Sequence, residues 1–474
     1  MAGITAIGAY IPIYRLPREE IAGMWGTRAM GGEKAVAGYD EDAVTMAVAA
    51  ARECLQGGAV QPDGLYFAST TAPYREKQSA AIIANAVGMG RKTFTADIAH
   101  SLKAGTTALM SALDAVKAGS ADQVLVTAAD CRLGTPKGAL EQLFGDAAVC
   151  LAIGGEGVIA EVEAGCRSTS EFTALWRTAA DAFVKSGEGR FIDEAGYQPD
   201  MLGTIADLLK DNSLQPADFA KIVFSATDAR AHARLAGKLG FKPAQVQDPL
   251  FAQVGHTGSA ATLLMLTAAL EEARPGDRIL LANYGDGVDA MVLRVTEAVS
   301  NVQTGKRLAD RLAGSRTIGY GLYLSWRELM PLEAPSLPPQ GEPSLAARWR
   351  ERPIIATLSG VKCNRCGLPQ IHTIGQNIRI CVGCQVRDDF TAYCFSDKKA
   401  SLFTYAIDHL QPTKNPPGVN GAVDFEGGGR LLCELTDYDL DRVEIGMPLE
   451  MTFRILSRGE GIVNYFWKAR PVAD

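Results

Sequence analysis

No run of about 18 consecutive apolar residues occurs in the 474-residue chain, so nothing in it reads as a membrane span. The opening stretch, MAGITAIGAYIPIYRLPREEI, lacks both a basic leader and a long apolar core, and does not read as an export signal; a cytoplasmic protein is expected. Positive charge is not in excess either: 47 Lys and Arg face 54 Asp and Glu, a formal net charge of −7. That balance argues against broad binding along a phosphate backbone, though not against a small basic pocket. The composition that remains, 47% hydrophobic and 21% charged, is that of an ordinary globular protein. Disorder, collagen and coiled coil are thereby excluded as descriptions of the whole. At roughly 150 residues per domain the length predicts two to four domains. The 49 glycines suit an α/β protein with many tight turns.

The distribution of the ten cysteines says more than their number. Cys54, Cys131, Cys150 and Cys166 are scattered and share no metal-ligand spacing. Cys363, Cys366, Cys381 and Cys384 form C-x2-C-x14-C-x2-C. Two such knuckles place four thiolates to close a tetrahedron at about 2.3 Å from a zinc ion. With every position filled by protein, no site is left for water, so the metal would be structural. Two disulfides, free thiols or an iron ion in a rubredoxin-like site are the alternatives; a reducing compartment disfavours the disulfides. Cys394 and Cys433 fall in strand-like runs and are expected to be buried apolar fillers.

Proline divides the chain. Pro331, Pro335, Pro338, Pro339, Pro343 and Pro353 crowd the segment 327–353, which reads as a linker holding one short helix, SLAARWRER. A body, residues 1–326, precedes it. After it come a four-cysteine ribbon, 354–388, and a run of short strands, 389–474. The strand-like pieces FTAYCFS, SLFTYAIDHL, AVDFEGGGRLLCELTD, PLEMTFRIL and IVNYFWKAR suggest a small β-barrel of the OB type.

The body alternates strand and helix patterns, the mark of α/β architecture. It also repeats itself. GLYFASTTAPYREKQSAAIIANAVGMG and KIVFSATDARAHARLAGKLGF both read strand, loop, helix, and Phe224 follows Phe67 at an offset of 157 residues. AGTTALMSALDAVKAGSADQVLVTAAD and GSAATLLMLTAALEEARPGDRILLANYGD both read helix then strand, and Asp277 follows Asp122 at an offset of 155. Two segments with nearly one offset argue for a duplicated unit; chance similarity of two helix–strand pairs is the alternative.

The stretches GAYIPIYRLPREEIAGMWG, YDEDAVTMAVAAAR, KAGTTALMSALDAVKAG, GHTGSAA and ARPGDRILLANYGDGVDA carry a resemblance. Over residues 3–326 the chain resembles 3-hydroxy-3-methylglutaryl-CoA synthase of the archaeal type, in the thiolase superfamily. The remainder resembles the zinc-ribbon and OB-fold proteins that accompany thiolases as acyl-CoA-binding partners. The resemblance implies a duplicated five-layer thiolase fold, with a C-terminal rubredoxin-like zinc ribbon and an OB-fold barrel. It also implies a homodimer formed through the thiolase fold.

The mechanism it implies needs a cysteine to accept the acyl group, a glutamate to remove a proton and a histidine to polarise the second carbonyl. At the matching positions stand Leu102, Thr70 and Ser225. A leucine cannot be acylated, and a threonine is no base near neutral pH. This pattern is similar to the degenerate synthase-like subunit of the acetyltransferase that acts on phloroglucinols. A non-catalytic subunit is therefore expected, binding a CoA thioester and a thiolase-family partner that carries the nucleophile, within a larger hetero-oligomer. His256 stands in GHTG where these synthases carry asparagine. It either donates to an oxyanion, serving a cysteine-free aldol or retro-aldol reaction, or fills a blocked cleft. Ser101 as a substitute nucleophile lacks a paired base. Asp146 and Asp286 sit in glycine-flanked turns and read as backbone-turn residues. Tyr74, Arg75, Glu76 and Lys77 read as a charged surface loop. Nucleic-acid binding by the tail is disfavoured, because residues 351–474 hold 14 basic and 15 acidic side chains and so no basic groove.

Overall fold

Apolar alternation and turn chemistry build two separate units, and a computed structural model describes residues 2–56, 61–301, 307–333, 345–372 and 378–472. The first unit comprises Met1–Ala37, Asp42–Ala84 and Met89–Tyr323. The second comprises Leu324–Asp474 with two short pieces from earlier in the chain, Gly38–Glu41 and Asn85–Gly88. Four prolines of the expected linker, Pro335, Pro338, Pro339 and Pro343, lie outside the described residues. Among the described residues no helix is long and apolar enough to cross a membrane.

In the first unit the strands are β1 (Gly3–Tyr10), β2 (Gly64–Ala68), β3 (Phe94–Ile98), β4 (Gln123–Asp130), β5 (Ala147–Gly154), β6 (Ala160–Arg167), β7 (Lys221–Phe224), β8 (Arg278–Tyr284) and β9 (Val288–Val295). They form one sheet in the order β3-β2-β4-β5-β1-β6-β9-β8-β7. The order reads alike outward from its centre. β1-β5-β4-β2 in one half matches β6-β9-β8-β7 in the other, and β2 runs parallel to β4 as β7 does to β8. Even β3 has a vestige of a counterpart, the parallel bridge between Ile222 and Val246. The repeat read from Phe67 and Phe224 is thus the repeat of the sheet: Phe67 pairs with Thr127 and Phe224 with Ala282. Among the described residues the two half-sheets are joined edge to edge by the strand pairs Gly3 with Glu161 and Ile4 with Ala160.

Helices make the other layers. α1 (Ala43–Cys54) packs on β1, β4 and β5, and α3 (Gln198–Asp211) on β6, β8 and β9. α4 (Ala229–Lys238) joins α3 in an outer cluster with Ile222, Leu280 and Val292. Between the half-sheets lie α2 (Ala104–Lys117) and α5 (Ala261–Glu272), whose Leu109, Leu113, Leu263 and Leu266 share one core with Val126, Leu151, Leu281 and Leu293. Apolar residues surround α5 on all sides, as a helix sandwiched between two sheets requires. The closeness of this middle layer needs Gly105, where a Cβ would come within 2.4 Å of the Ser259 carbonyl oxygen.

In the second unit α6 (Leu345–Arg350) and α7 (Arg352–Thr357) lead into β10 (Ser359–Cys363), β11 (Pro369–Gln370) and β12 (Phe390–Cys394), a three-stranded sheet in the order β11-β10-β12. A second sheet holds β13 (Ala400–Asp408), β14 (Gly418–Phe425), β15 (Arg430–Glu434), β16 (Pro448–Gly459) and β17 (Ile462–Pro471), in the order β15-β14-β13-β16-β17. A bridge from Leu435 to Ala469 closes it on itself, around Leu402, Val423, Phe453 and Trp467.

Three expectations about this unit are corrected. FTAYC, read as the first barrel strand, instead pairs along its length with β10. AVDFEGGGRLLCELTD is two strands, split at Gly427, Gly428 and Gly429, whose positive φ angles turn the chain. Cys394 is not a buried filler: it is exposed on the edge of β12 and donates to the Thr357 carbonyl oxygen. Cys433 is half-buried, and burial pushes its thiol up to about 12.

Candidate functional site

Parallel strands point their C-terminal ends the same way, and the loops that leave such ends commonly form ligand sites. Here β2 and β4 in one half, and β7 and β8 in the other, release the segments that carry Thr70, Arg132, Ser225 and Gly285. Leu102 stands just before α2 and is half-buried. Its carbonyl oxygen accepts from Asn283 Nδ2 at 3.3 Å. Gly285 permits that approach, because a Cβ there would lie 2.8 Å from Lys103 N and 3.1 Å from Leu102 Cβ. Leu102, flagged in the first half, is therefore brought against the end of β8 in the second.

Ser225 is held from several sides. Its Oγ accepts the Tyr284 N–H at 2.8 Å, its N–H donates to the Ala282 carbonyl, and its own carbonyl accepts from the Tyr197 hydroxyl at 2.9 Å. Thr70 donates its N–H to Asp130 Oδ1 at 2.7 Å, and its carbonyl accepts from Arg177 at 2.6 Å. Ser101 donates to the Gly285 carbonyl at 3.2 Å and has no base among its partners. His100 is exposed, with φ of 71°. Asp146 accepts the Ala37 N–H at 2.9 Å, and Asp286 occupies the turn between β8 and β9 with φ of 49°. Arg75, Glu76 and Lys77 are exposed.

His256 is buried. Its backbone bridges to Phe144, and its Nδ1 accepts the Gly258 N–H at 3.1 Å and faces Arg132 Nη1 at 3.5 Å. With acceptance at Nδ1, the neutral ring carries its proton on Nε2. Burial, and then the positive charge of Arg132, push its pKa down to about 3. Such a ring is neutral near pH 7. It can donate a hydrogen bond to an oxyanion, but it is poorly matched to moving protons. With Ser225, Leu250, Phe251, Thr257 and Leu264 it lines a cavity of about 10 Å³, room for about one water molecule.

Two residues that the sequence reading passed over organise this edge. Asp130, fully buried at the end of β4, accepts from Ser69 Oγ, Thr70 N and Thr71 Oγ1 through one oxygen and from Ser259 N through the other. Arg132, two residues on, is 4% exposed, with its guanidinium 4.0 Å from the Phe144 ring centre. An acid closing the apolar run of β4 was a legible signal for the first. Nothing local marks the second.

In the second unit the ribbon cysteines converge. Cys363, Cys366, Cys381 and Cys384 bring four Sγ atoms within 4.8 Å of one another. Cys363 and Cys384 lie 3.6 Å apart, and Cys366 and Cys381 3.5 Å. A tetrahedron of sulfurs at about 2.3 Å from a metal has edges of about 3.8 Å, so the donor set fits such an ion. The N–H groups of Cys384 and Gly383 pull the Cys381 thiol down to about 6. Cys366 receives a lowering N–H from Leu368, yet its sulfur neighbours push it up to about 12. Four thiols this close ionise together only when a cation takes up their charge.

The chain is 32% identical over 345 residues to a hydroxymethylglutaryl-CoA synthase of Pyrobaculum arsenaticum, covering 70% of this chain and 99% of that protein. To that of Archaeoglobus fulgidus it is 34% identical over 340 residues, covering 69% and 98%. Residues 209–295 match the C-terminal family of 3-oxoacyl-[acyl-carrier-protein] synthase III. Residues 395–454 match the ChsH2 C-terminal OB-fold domain. A crystal structure of HMG-CoA synthase complexed with CoA shares the fold with a TM-score of 0.62 and 19% identity, over 72% of this chain and 92% of that one. 3-Oxoacyl-(acyl carrier protein) synthase III from Pseudomonas aeruginosa PAO1 does so with 0.57 and 20%, over 62% and 98%. The first unit is thus a thiolase-like α/β fold, the second contains an OB-fold domain, and the chain belongs to the hydroxymethylglutaryl-CoA synthase family.

Proposed function

We propose that this chain is a synthase-like, non-catalytic subunit of a thiolase-type acyl-CoA complex. Its family condenses and transfers acyl groups carried on CoA. The observation that carries the reading is the residue at the start of α2: Leu102, against Asn283 and Gly285, where the resemblance expects the acylated cysteine. Thr70 and Ser225 supply hydroxyl groups in place of the glutamate and histidine, and the neutral His256 ring offers no general base. The nucleophile would then belong to a thiolase-family partner. This chain would bind the CoA thioester and the partner in the cytoplasm, as a homodimer within a hetero-oligomer. Cys363, Cys366, Cys381 and Cys384 would hold a structural zinc ion, which leaves no open position for chemistry.

The test is intact-mass spectrometry of the purified chain after incubation with acetyl-CoA, together with affinity purification from its native host. No covalent adduct and a co-purifying thiolase-family subunit are expected. A stable acyl adduct on the isolated chain would sink the reading.

A second reading rests on the Nε2 side of His256, which has no hydrogen-bond partner among the described residues. There the ring would stabilise an oxyanion in a cysteine-free aldol or retro-aldol reaction. Unchanged turnover of the reconstituted complex on His256→Ala would remove it.

A further inference from the structure

Two exposed patches of the second unit carry opposite charges. On α6, Leu345 and Trp349 stand four residues apart and so share a face. Each is 68% exposed. Arg350 and Arg352 are exposed beside them, and the Arg352 guanidinium lies 4.5 Å from the Trp349 ring centre. The other side of the helix holds it in place, where Arg348 donates to the Val463 carbonyl oxygen at 3.3 Å. From 345 to 352 three arginines stand against one acid, Glu351. A tryptophan and a leucine left side by side in water forgo about 25 cal/mol for each Å² that a partner could cover.

The loop between β15 and β16 is opposite in charge. Leu440–Arg442 form one helical turn, capped by Asp439, whose carboxylate accepts the Asp441 N–H at 3.2 Å. Val443 is buried beneath, and the Gly446 N–H donates to the Leu402 carbonyl oxygen at 2.7 Å. Held at these points, the loop presents Asp439, Asp441 and Glu444 alongside Leu440 and Ile445, which are 37% and 67% exposed. Among the described residues no ion pair neutralises these three acids, or Arg350 and Arg352. No hydrogen bond, ion pair or ring contact there joins the two patches within one chain.

We infer that the two patches are each other's partners between copies of this chain. The Leu345 and Trp349 face of one copy packs on Leu440 and Ile445 of a second, with Arg350 and Arg352 against Asp439, Asp441 and Glu444. Charge complementarity names the occupant. An unrelated acidic protein would satisfy α6 alone, and a basic one the loop alone, whereas a second copy satisfies both. About a two-fold axis the contact is made twice, since each copy brings one of each patch. Tryptophan and arginine commonly anchor such contacts, and the opposed charges fix the register. The contact lies wholly in the second unit and is separate from the pairing through the thiolase fold proposed above.

Sedimentation velocity of the full chain, over a concentration series in low and in high salt, tests this. Self-association that weakens as salt rises is expected. Asp441→Lys combined with Glu444→Lys should weaken it at least about tenfold, because like charges then face each other, and Arg350→Glu combined with Arg352→Glu should do the same. An equal mixture of the two variants should recover the wild-type mass, because each again offers the other an opposite patch; recovery also shows that both are folded. Trp349→Ser should weaken association by a similar factor. A wild-type chain whose mass neither reversal changes overturns the proposal, whether it is a monomer or a dimer held through the first unit. So does a mixture that fails to recover while each variant keeps the wild-type melting transition. Binding to phosphatidylglycerol vesicles that Trp349→Ser abolishes, with no change of mass on either reversal, would assign α6 to an anionic membrane and likewise overturn it.

Discussion

The carboxylate of Asp130 accepts the backbone N–H of Ser259 at 2.7 Å, tying the end of a strand in the first half to the turn before α5 in the second. The fit leaves no slack: Gly258 has φ of 64°, and a Cβ on it would come within 2.2 Å of Asp130 Oδ2. Asp130→Ala would leave buried donors at Ser69 and Ser259 and half-buried ones at Thr70 and Thr71 without this acceptor. At about 1–3 kcal/mol for each donor left unsatisfied, and with some relaxation, a loss of at least about 3 kcal/mol is expected. Urea denaturation of the purified chain measures it. Gly258→Ala should destabilise as well, and adding it to Asp130→Ala should do less harm than the two single losses together, because its clash is then removed.

A second carboxylate network predicts a larger loss. In the second unit Arg454, 1% exposed in its side chain, bonds Glu41 at 2.6 Å and Asp437 at 2.5 Å and lies 3.4 Å from Asp40. Lys468 joins Asp40 at 3.1 Å and Glu434 at 2.7 Å. Removing one partner of a buried ion pair costs about 3–5 kcal/mol, because the remaining charge stays buried. Arg454→Met should show a loss in that range by denaturant unfolding; a change below about 1 kcal/mol would mean that water already screens the cluster.

Acid should weaken the first unit through its buried histidines. His232 stacks on Phe224 at 4.1 Å, and burial, partly offset by Asp248, lowers its pKa from 6.5 to about 4. His256 is lowered further, to about 3. Both values are depressed in the folded chain, so unfolding takes up protons below pH 6.5. The stability each neutral ring contributes is therefore complete above pH 6.5 and lost as the pH falls toward the folded value. For His232 the loss amounts to roughly 3 kcal/mol between pH 6.5 and 4. Denaturation midpoints of wild type and His232→Gln over that window should converge as the pH falls; parallel curves would refute the assignment.

Metal analysis bears on the ribbon. One zinc ion per chain is expected in protein purified under reducing conditions, and Cys366→Ser should lose most of it. Chelation should expose the β10–β12 sheet to protease while leaving the first unit resistant. Metal-free protein with its four ribbon cysteines paired as disulfides would overturn the zinc assignment.

Much of the architecture was legible because its signals are local. A strand, a loop and a helix repeated at one offset exposed the two halves, since each element is specified by its own periodicity. Two C-x2-C knuckles foretold four converging sulfurs, because two intervening residues already place each pair on one turn. The loops that carry Thr70, Leu102, Ser225 and His256 could be located from the elements flanking them.

What each of those residues meets could not be located in this way. Strand pairing is non-local, so FTAYC lies against β10, and its Cys394 is exposed although its sequence reads as a buried strand. The charge state of His256 depends on burial and on Arg132, which lies 124 residues away. That Arg132 meets the Phe144 ring and His256 is likewise set by packing between separate chain segments. Sequence by itself determined the elements, the repeat and the cysteine cluster, which neighbouring residues encode. Only the tertiary structure decided which charges are paired, because pairing and desolvation are set by residues far apart in the chain.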